Sequence, residues 1–315
     1  MSRKILVTGN AGFIGSNLTE RLLKLGYKVV GIDNFNDYYS PKRKEKNIEE
    51  FKNNPNFTQE RADILDKEKL ELILSQTKPE IIIHLAARAG VRLSLLNPEL
   101  YWQVNVQGTK NLLARARKHK IKQFIFASSS SVYGNQTKIP FSETDKLVKP
   151  LSPYAETKLE AEALCQQYNF PVTVLRFFTV YGPKGRPDMA PYLFTKQILE
   201  DQTIVRFGDG STSRDYTYVD DIVEGIIKAI NQPLAFEIIN LGNNQPVKLN
   251  DFIKTIEKIT KRKAKIMEKP IHPADVRQTY ADITKAKKLL NWQPKTDLET
   301  GMRRFIEWYK LNQKV

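Results

Sequence analysis

The pattern of this chain predicts an α/β protein: a doubly wound parallel sheet with helices on both faces, followed by a smaller mixed α/β lobe. Three observations carry the prediction. Short apolar runs alternate with amphipathic stretches through the first half. A glycine triplet, Gly9-Asn-Ala-Gly12-Phe-Ile-Gly15, sits where the first run ends and the first helical stretch begins. Beyond about residue 178 the alternation yields to segments rich in Gly, Pro and Asp.

The apolar runs are Ile5-Leu-Val7, Val29-Val-Gly-Ile32, Ile81-Ile-Ile-His-Leu85, Phe124-Ile-Phe-Ala127 and Val172-Thr-Val-Leu175. Their near-continuous apolarity suits strands buried on both faces. Between them, residues 14–25, 66–76, 99–118 and 154–168 have helical length and an apolar stripe, so the order is βαβα and the sheet is expected to be parallel. Later helices are expected near 191–200, 219–231 and 249–260, among loops such as Tyr181-Gly-Pro-Lys-Gly-Arg-Pro-Asp-Met189, a composition suited to a substrate cap. The run Phe236-Glu-Ile-Ile-Asn-Leu241 reads as a strand returning to the main sheet. The expected division is therefore 1–178, plus about 215–242, for a nucleotide-binding domain, with 179–315 forming most of an interleaved substrate-binding lobe.

With 315 residues and 41% hydrophobic composition, the chain can fill a substantial core. A single cysteine, Cys165, forms no intramolecular disulfide. The first apolar run begins after four residues, leaving no space for a secretory signal, and no run approaches the roughly 18 apolar residues of a spanning helix. No membrane association and a cytoplasmic location are expected. The net charge of +15 raises nucleic acid as a partner. However, basic clusters such as Lys42-Arg43-Lys44 and Lys261-Arg262-Lys263 are interspersed with acidic residues and carry no nucleic-acid motif, so they read as solvated surface. No metal site is expected, because His84, His119 and His272 are isolated and Cys165 has no partner ligand nearby in sequence.

Glycines at positions 9, 12 and 15 suit a tight turn, close approach of a pyrophosphate, and helix-sheet packing, with the helix N-terminus facing the phosphates. Asp33 ends the second strand, where a carboxylate bonds both ribose hydroxyls of an adenosine and repels a 2′-phosphate; the expected cofactor is NAD rather than NADP. Phe13, Ile14, Asn34, Ile64 and Leu85 are expected to complete the cofactor wall. Asp63 suits either the adenine amino group or the cap of the next helix. Ala86 and Ala87 in His84-Leu-Ala-Ala87 allow close backbone approach, with His84 expected to be buried and bonded to backbone.

Tyr154 and Lys158 are four apart, on one helix face, so the ammonium is expected to draw the phenol's pKa from about 10 towards neutrality. Such a tyrosine takes a proton from a hydroxyl while hydride leaves the same carbon. The alternative is a surface tyrosine beside a solvated lysine. Four serines, Ser128 to Ser131, follow Phe124-Ile-Phe-Ala127 at a strand's carboxyl end, where α/β ligands bind; one is explained by a turn, four by binding a substrate hydroxyl or carboxylate.

These residues resemble the extended short-chain dehydrogenase/reductase family, whose core is a Rossmann fold, and within it the NAD-dependent nucleotide-sugar epimerases and dehydratases. The likeness runs from Val7-Thr-Gly-Asn-Ala-Gly-Phe-Ile-Gly15 through Tyr101-Trp-Gln-Val-Asn-Val-Gln-Gly-Thr109 to Ser213-Arg-Asp-Tyr216. It implies that Ser129, Tyr154 and Lys158 are catalytic, with Asn105 beside the cofactor pocket and Phe177 beside the nicotinamide. Similar dehydratases carry Asp-Glu immediately before Val-Tyr-Gly, and UDP-glucuronate decarboxylases carry a Glu there; this chain has Ser130 and Ser131. Elimination is therefore disfavoured, and hydride return to the opposite face, which is 4-epimerisation, is expected.

The stretches Asp33-Asn-Phe-Asn-Asp-Tyr-Tyr39, Ala89-Gly-Val-Arg92 and Thr179-Val-Tyr-Gly-Pro-Lys-Gly-Arg186-Pro-Asp-Met-Ala190 look like the UDP-glucuronate 4-epimerases, which interconvert UDP-glucuronate and UDP-galacturonate. Hydroxyls of Ser129, Ser130 and Thr179 and the guanidinium of Arg186 suit the sugar carboxylate, although Arg186 also reads as a loop ion pair. The resemblance gives Arg214 a diphosphate, Asp188 and Met189 a loop along the nucleotide, and Asp275 a ribose. Phe207 suits uracil stacking or the core. His272, preceding Ala274-Asp275, stands where glucose-type epimerases have arginine. The alternatives are an epimerase of UDP-glucose or its N-acetyl derivative, a UDP-sugar decarboxylase or dehydratase, and a non-catalytic nucleotide-binding protein. Relatives pair through helices corresponding to 99–118 and 154–168, implying a homodimer.

Overall fold

The computed structural model describes residues 3–271 and 275–312. Strands and helices alternate as β1 (Lys4–Thr8), α1 (Phe13–Lys24), β2 (Lys28–Asp33), α2 (Pro41–Ile48), β3 (Phe57–Arg61), α3 (Lys67–Thr77), β4 (Ile81–His84), α4 (Val91–Leu96) and α5 (Pro98–Tyr101). A π-helical segment, Trp102–Gln107, runs into α6 (Gly108–Lys118), then β5 (Gln123–Ser129), α7 (Pro153–Gln166) and β6 (Val172–Phe177). The rest is β7 (Thr179–Tyr181), α8 (Ala190–Leu199), β8 (Thr203–Phe207), β9 (Ser213–Tyr218), α9 (Val219–Asn231), β10 (Phe236–Leu241), β11 (Pro246–Lys248), α10 (Leu249–Thr260), β12 (Lys265–Lys269), α11 (Thr284–Leu290) and α12 (Leu298–Asn312).

Among the described residues, seven strands form one parallel sheet in the order β10-β6-β5-β4-β1-β2-β3. Because strand side chains alternate, Ile5 and Val7 of β1 join one core with Leu18 and Leu22 of α1 and Ile222 and Ile226 of α9. Leu6 joins the other with Leu70 of α3, Leu112 of α6 and Cys165 of α7. This two-sided burial is why the strands read as unbroken apolar runs. The exception is β3, Phe-Thr-Gln-Glu-Arg, which lies at the sheet edge and needs less apolar surface. Strand order reverses between β1 and β4, opening the crevice at their carboxyl ends where such sheets bind ligands.

The stretch 99–118, expected as one helix, is broken into α5, the π segment and α6. The extra residue per turn is accommodated around Asn105, whose side chain bonds outside the helix. In the second lobe, β11-β9-β7 and β12-β8 form two small sheets. Since β9 belongs to the first of these, the segment that returns to the main sheet begins at α9, which packs on α1 and β5, and ends with β10 beside β6. No described helix is long and apolar enough to cross a membrane.

Candidate active site

A cavity of about 940 Å³ opens at the carboxyl ends of the central strands and is covered by the second lobe. Its size is near the top of the usual range for ligand sites. One part of the wall is made by Gly9, Gly12, Phe13, Ile14, Gly15, Asp33, Asn34, Asp63, Ile64, Leu85, Ala86 and Ala87. Ser129, Ser130, Tyr154, Lys158 and Phe177 continue it, and Thr179, Arg186, Asp188, Met189, Phe207, Arg214 and Asp275 close it. The sequence-predicted residues thus converge on one space, with one exception.

That exception is Asn105, which stands behind the wall. Its Oδ1 accepts from the Arg88 backbone N–H at 2.8 Å, and its Nδ2 donates to the Arg88 carbonyl at 2.9 Å and to Thr157 Oγ1 at 3.0 Å. It ties the exit of β4 to the helix turn that carries Lys158, instead of touching a cofactor directly.

At the phosphate end, Gly9 has φ +72°, and a Cβ on Gly15 would lie 2.0 Å from the Gly9 carbonyl oxygen, so both positions need glycine. Helix α1 opens at Gly12 without a side-chain cap, leaving its first N–H groups for an anion. Asp33 is buried, accepting from the backbone of Ala11 at 3.3 Å and Phe35 at 2.8 Å. Burial pushes its carboxyl above the ordinary range, opposed chiefly by the Lys44 ammonium 3.9 Å away. These features fit an NAD-type dinucleotide.

Lys44 corrects the expectation of a solvated Lys42-Arg43-Lys44 cluster. It is buried, lines the cavity and donates to Asn36 Oδ1 at 3.1 Å, while Arg43 lies 4.7 Å over the Tyr192 ring. Lys44, Asn47 and Ile48 share the buried face of α2, a helical spacing that composition alone hides. Asp63 accepts from Asn34 Nδ2 at 2.7 Å and Leu65 N at 2.8 Å; the cap of α3 is Asp66, three residues on, so the capping alternative for Asp63 falls.

His84 is buried as expected, but it bonds hydroxyls instead of backbone: Thr8 Oγ1 at 2.7 Å and Thr109 Oγ1 at 3.0 Å. Thr109 spends its proton on the Asn105 carbonyl, so His84 Nε2–H donates to Thr109 and Nδ1 accepts from Thr8. Burial, with the Lys158 charge adding, drives its pKa down to about 3 and keeps it neutral.

Tyr154 and Lys158 face the end of β5 from α7, which is capped by Ser152. The Tyr154 hydroxyl lies beside Ser129 at the end of β5. Lys158 Nζ donates to the Ala127 carbonyl at 2.8 Å and lies 4.9 Å from the Phe126 ring centroid. Burial lowers the lysine pKa to about 8 against the pull of Glu162. The phenol departs from expectation. Burial raises its pKa, and the groups that oppose this are Ser129 and Arg186, while the Lys158 ammonium is engaged with the Ala127 carbonyl.

The serine run also divides. Ser128 turns into the protein and donates to Glu162 Oε1, whereas Ser129 accepts from Ser131 N–H at 3.2 Å and, with Ser130, lines the cavity. Ser128 and Ser129 take opposite faces of β5, and Ser130 opens a short 3-10 turn beyond the strand's end.

On the opposite wall Arg186 is forked on Asp188, Nε to Oδ1 at 3.0 Å and Nη2 to Oδ2 at 2.5 Å, and donates to the Tyr38 hydroxyl at 3.0 Å. The ion-pair alternative is therefore present in the molecule, yet the guanidinium still lines the cavity. Burial works against the Asp188 charge, and the arginine fork overcomes it, leaving the carboxyl below its ordinary range. Phe207 is half-buried, not core; the Arg92 guanidinium sits 3.9 Å over its ring and pairs with Asp275 at 2.6 Å. Arg214 lies nearby, its Nη1 bonded to the Ser213 carbonyl at 2.9 Å. His272 and Ala274 lie outside the described residues. No role was expected for Tyr38, Lys44, Arg88 or Arg92, all of which reach the cavity; the signals for Tyr38 and Arg92 were their places in Asp33–Tyr39 and Ala89–Arg92, and Arg88 immediately precedes the second of these stretches.

A dinucleotide loop at the switch point of a parallel sheet, joined in one cavity to a Ser-Tyr-Lys set, defines a short-chain dehydrogenase/reductase of the extended kind. The chain belongs to the family described as GDP-mannose 4,6 dehydratase, whose model matches residues 6–305. It is 46% identical to a UDP-glucuronate 4-epimerase of Thermodesulfobacterium geofontis over 98% of this chain and 96% of that protein. Its structure resembles UDP-glucuronic acid 4-epimerase from Bacillus cereus, solved with UDP-glucuronic acid and NAD, with TM-score 0.93 and 39% identity over 98% of this chain and 99% of that one. It also resembles a UDP-glucose 4-epimerase from Thermotoga maritima, solved with UDP-glucose, with TM-score 0.91 and 34% identity over 99% and 100%.

Proposed function

We propose that this chain is an NAD-dependent UDP-sugar 4-epimerase whose substrate pair is UDP-glucuronate and UDP-galacturonate. The observation that carries this reading is the convergence, in one cavity, of the dinucleotide loop and the Ser129-Tyr154-Lys158 set with Thr179 and Arg186 on the facing wall. Gly9, Gly12, Gly15 and the start of α1 would hold the pyrophosphate of NAD, and Asp33 its adenosine ribose; bound there, it would supply a hydride acceptor and donor for sugar C4, with no net oxidation over a turnover.

Tyr154 removes the C4 hydroxyl proton as the carbonyl forms and returns it as the carbonyl is reduced, with Ser129 orienting the oxygen. The Lys158 ammonium holds α7 to β5 by donating to the Ala127 carbonyl, a grip that weakens when its charge is lost, and Ser129 and Arg186 counter the burial of the phenol. Arg214 secures the diphosphate while the sugar presents its other face. Ser130 and Ser131 offer no carboxyl group for water loss. Incubation with UDP-glucuronate and NAD should yield UDP-galacturonate; an unchanged sugar would overturn the reading.

Once C4 is a ketone, the sugar is a β-keto acid, and loss of CO₂ moves the C5–carboxylate electron pair into the enolate. Thr179 and Arg186 hold the carboxylate against that alignment. Thr179→Ala and Arg186→Ala should each raise the fraction of UDP-pentose product severalfold, measured by product-resolved chromatography; unchanged ratios with surviving turnover would remove this role. The pH dependence follows from Lys158. Its charge is lost as pH rises through about 8, so kcat should fall on that side, and a flat profile to pH 9.5 would count against the charged lysine.

UDP-glucose is the second reading. The Arg186 charge is already balanced by Asp188, so a neutral C6 group would leave no unpaired cation. A panel of UDP-sugars decides between them. We also propose a homodimer built on the helices near 99–118 and 154–168, consistent with exposed Leu93, Leu95, Leu96 and Trp102 beside them. Light scattering of the purified chain tests it.

A further inference from the structure

We propose that Ser128, Glu162 and Arg176 form a buried positioning network that sets the register of α7 against β5 and keeps Lys158 charged. It rests on the reading of Tyr154 and Lys158 as the reacting pair. Residues 154, 158 and 162 lie four apart on one face of α7. Each faces a different residue at the end of β5: Tyr154 stands beside Ser129, Lys158 donates to the Ala127 carbonyl at 2.8 Å, and Glu162 accepts from the Ser128 hydroxyl. Ser128 continues the strand face of Phe124 and Phe126, which packs on α7, so its hydroxyl turns to Glu162 while the residue still borders the cavity.

Glu162 is in turn gripped by Arg176 of β6, through Nε at 3.0 Å and Nη2 at 2.7 Å, with both side chains buried. One carboxylate therefore joins β5, β6 and α7 directly behind the catalytic face. A helix held at two successive turns cannot slide along the strand without breaking both contacts, and the place of the Tyr154 hydroxyl beside Ser129 depends on that register.

The charge balance follows from the same geometry. Around Lys158 stand neutral His84 from β4, the Phe126 ring, the Ala127 carbonyl and Ser128 from β5, Arg176 from β6, and Tyr154, Glu162 and Cys165 from its own helix. Burial raises the Cys165 thiol pKa, so it remains protonated, and Glu162 is the anion in this set. Removing its charge would take away the carboxylate that holds the Lys158 charge against burial and would leave Arg176 unpaired beside it in the interior, so the lysine would yield its proton at lower pH.

The test is the pH profile of epimerisation by Glu162→Gln, which keeps an acceptor for Ser128. Its alkaline limb should lie about one pH unit below wild type, with kcat about tenfold lower above both limbs, near-normal turnover at pH 6 and unchanged KM for the UDP-sugar. A folded, NAD-binding Glu162→Gln protein with the wild-type limb overturns the proposal, as does an equal loss at every pH. Should that variant fail to fold, Glu162→Leu combined with Arg176→Met removes both charges without leaving either unpaired. Its limb should fall between those of wild type and the lower limb expected for Glu162→Gln, and coincidence with wild type overturns the network role. Lys158→Met separates the two layers: retained activity removes the catalytic reading itself, whereas inactivity beside an unmoved limb in the Glu162 variants removes only this network.

Discussion

Tyr154→Phe should lower kcat for C4 epimerisation by ~10³-fold, in the range set by positioned acid-base groups. The substitution keeps the ring, including its edge contact with Tyr101 at 6.3 Å between centroids, and deletes the one group able to take the hydroxyl proton. Removing one hydroxyl that lines a cavity costs at most about 1 kcal/mol of stability, small enough for the protein to remain folded and bind NAD. The effect should therefore appear as lost turnover with unchanged circular dichroism and nearly unchanged NAD affinity. More than a tenth of wild-type kcat would end the assignment.

Gly15→Ala should cripple the cofactor site through sterics alone. The added methyl would lie 2.0 Å from the Gly9 carbonyl oxygen and 2.8 Å from Asn10 Cα, far inside any real contact, and backbone atoms do not rotate away as side chains do. The start of α1 must move off the loop, taking the phosphate-facing N–H groups with it. Overpacking of this kind costs about 3 kcal/mol or more. Expressed wholly in binding, that is about a hundredfold weaker NAD affinity; expressed in folding, it is a lowered Tm. Calorimetric titration and thermal melts together capture the total. Wild-type values in both would show that the loop is not the dinucleotide site.

The fold was legible because each element carries its own local signal. Runs such as Ile81-Ile-Ile-His and Val172-Thr-Val-Leu are apolar since each residue faces one of two cores, and helices at 219–231 and 249–260 repeat their apolar positions every three or four residues. The edge strand β3 lacked such a run because one of its sides has no strand to pair. At the site, the glycine spacing and the interval between Tyr154 and Lys158 are local geometry, and both elements line the same cavity.

What the residues determined by themselves, then, was backbone direction, which faces are buried, and which reactive groups share a helix turn. All of these follow from periods of 2 and 3.6 residues and from the missing glycine side chain. Only the tertiary structure decided partners: Lys44 beside Asp33 rather than solvent, Arg186 on the Tyr38 hydroxyl, Ser128 turned to Glu162, His84 between two threonines, and a phenol whose pKa burial pushes up. Desolvation and pairing depend on groups tens to hundreds of residues away in the chain. No local period encodes them, so they become readable only once the strands have brought those groups together.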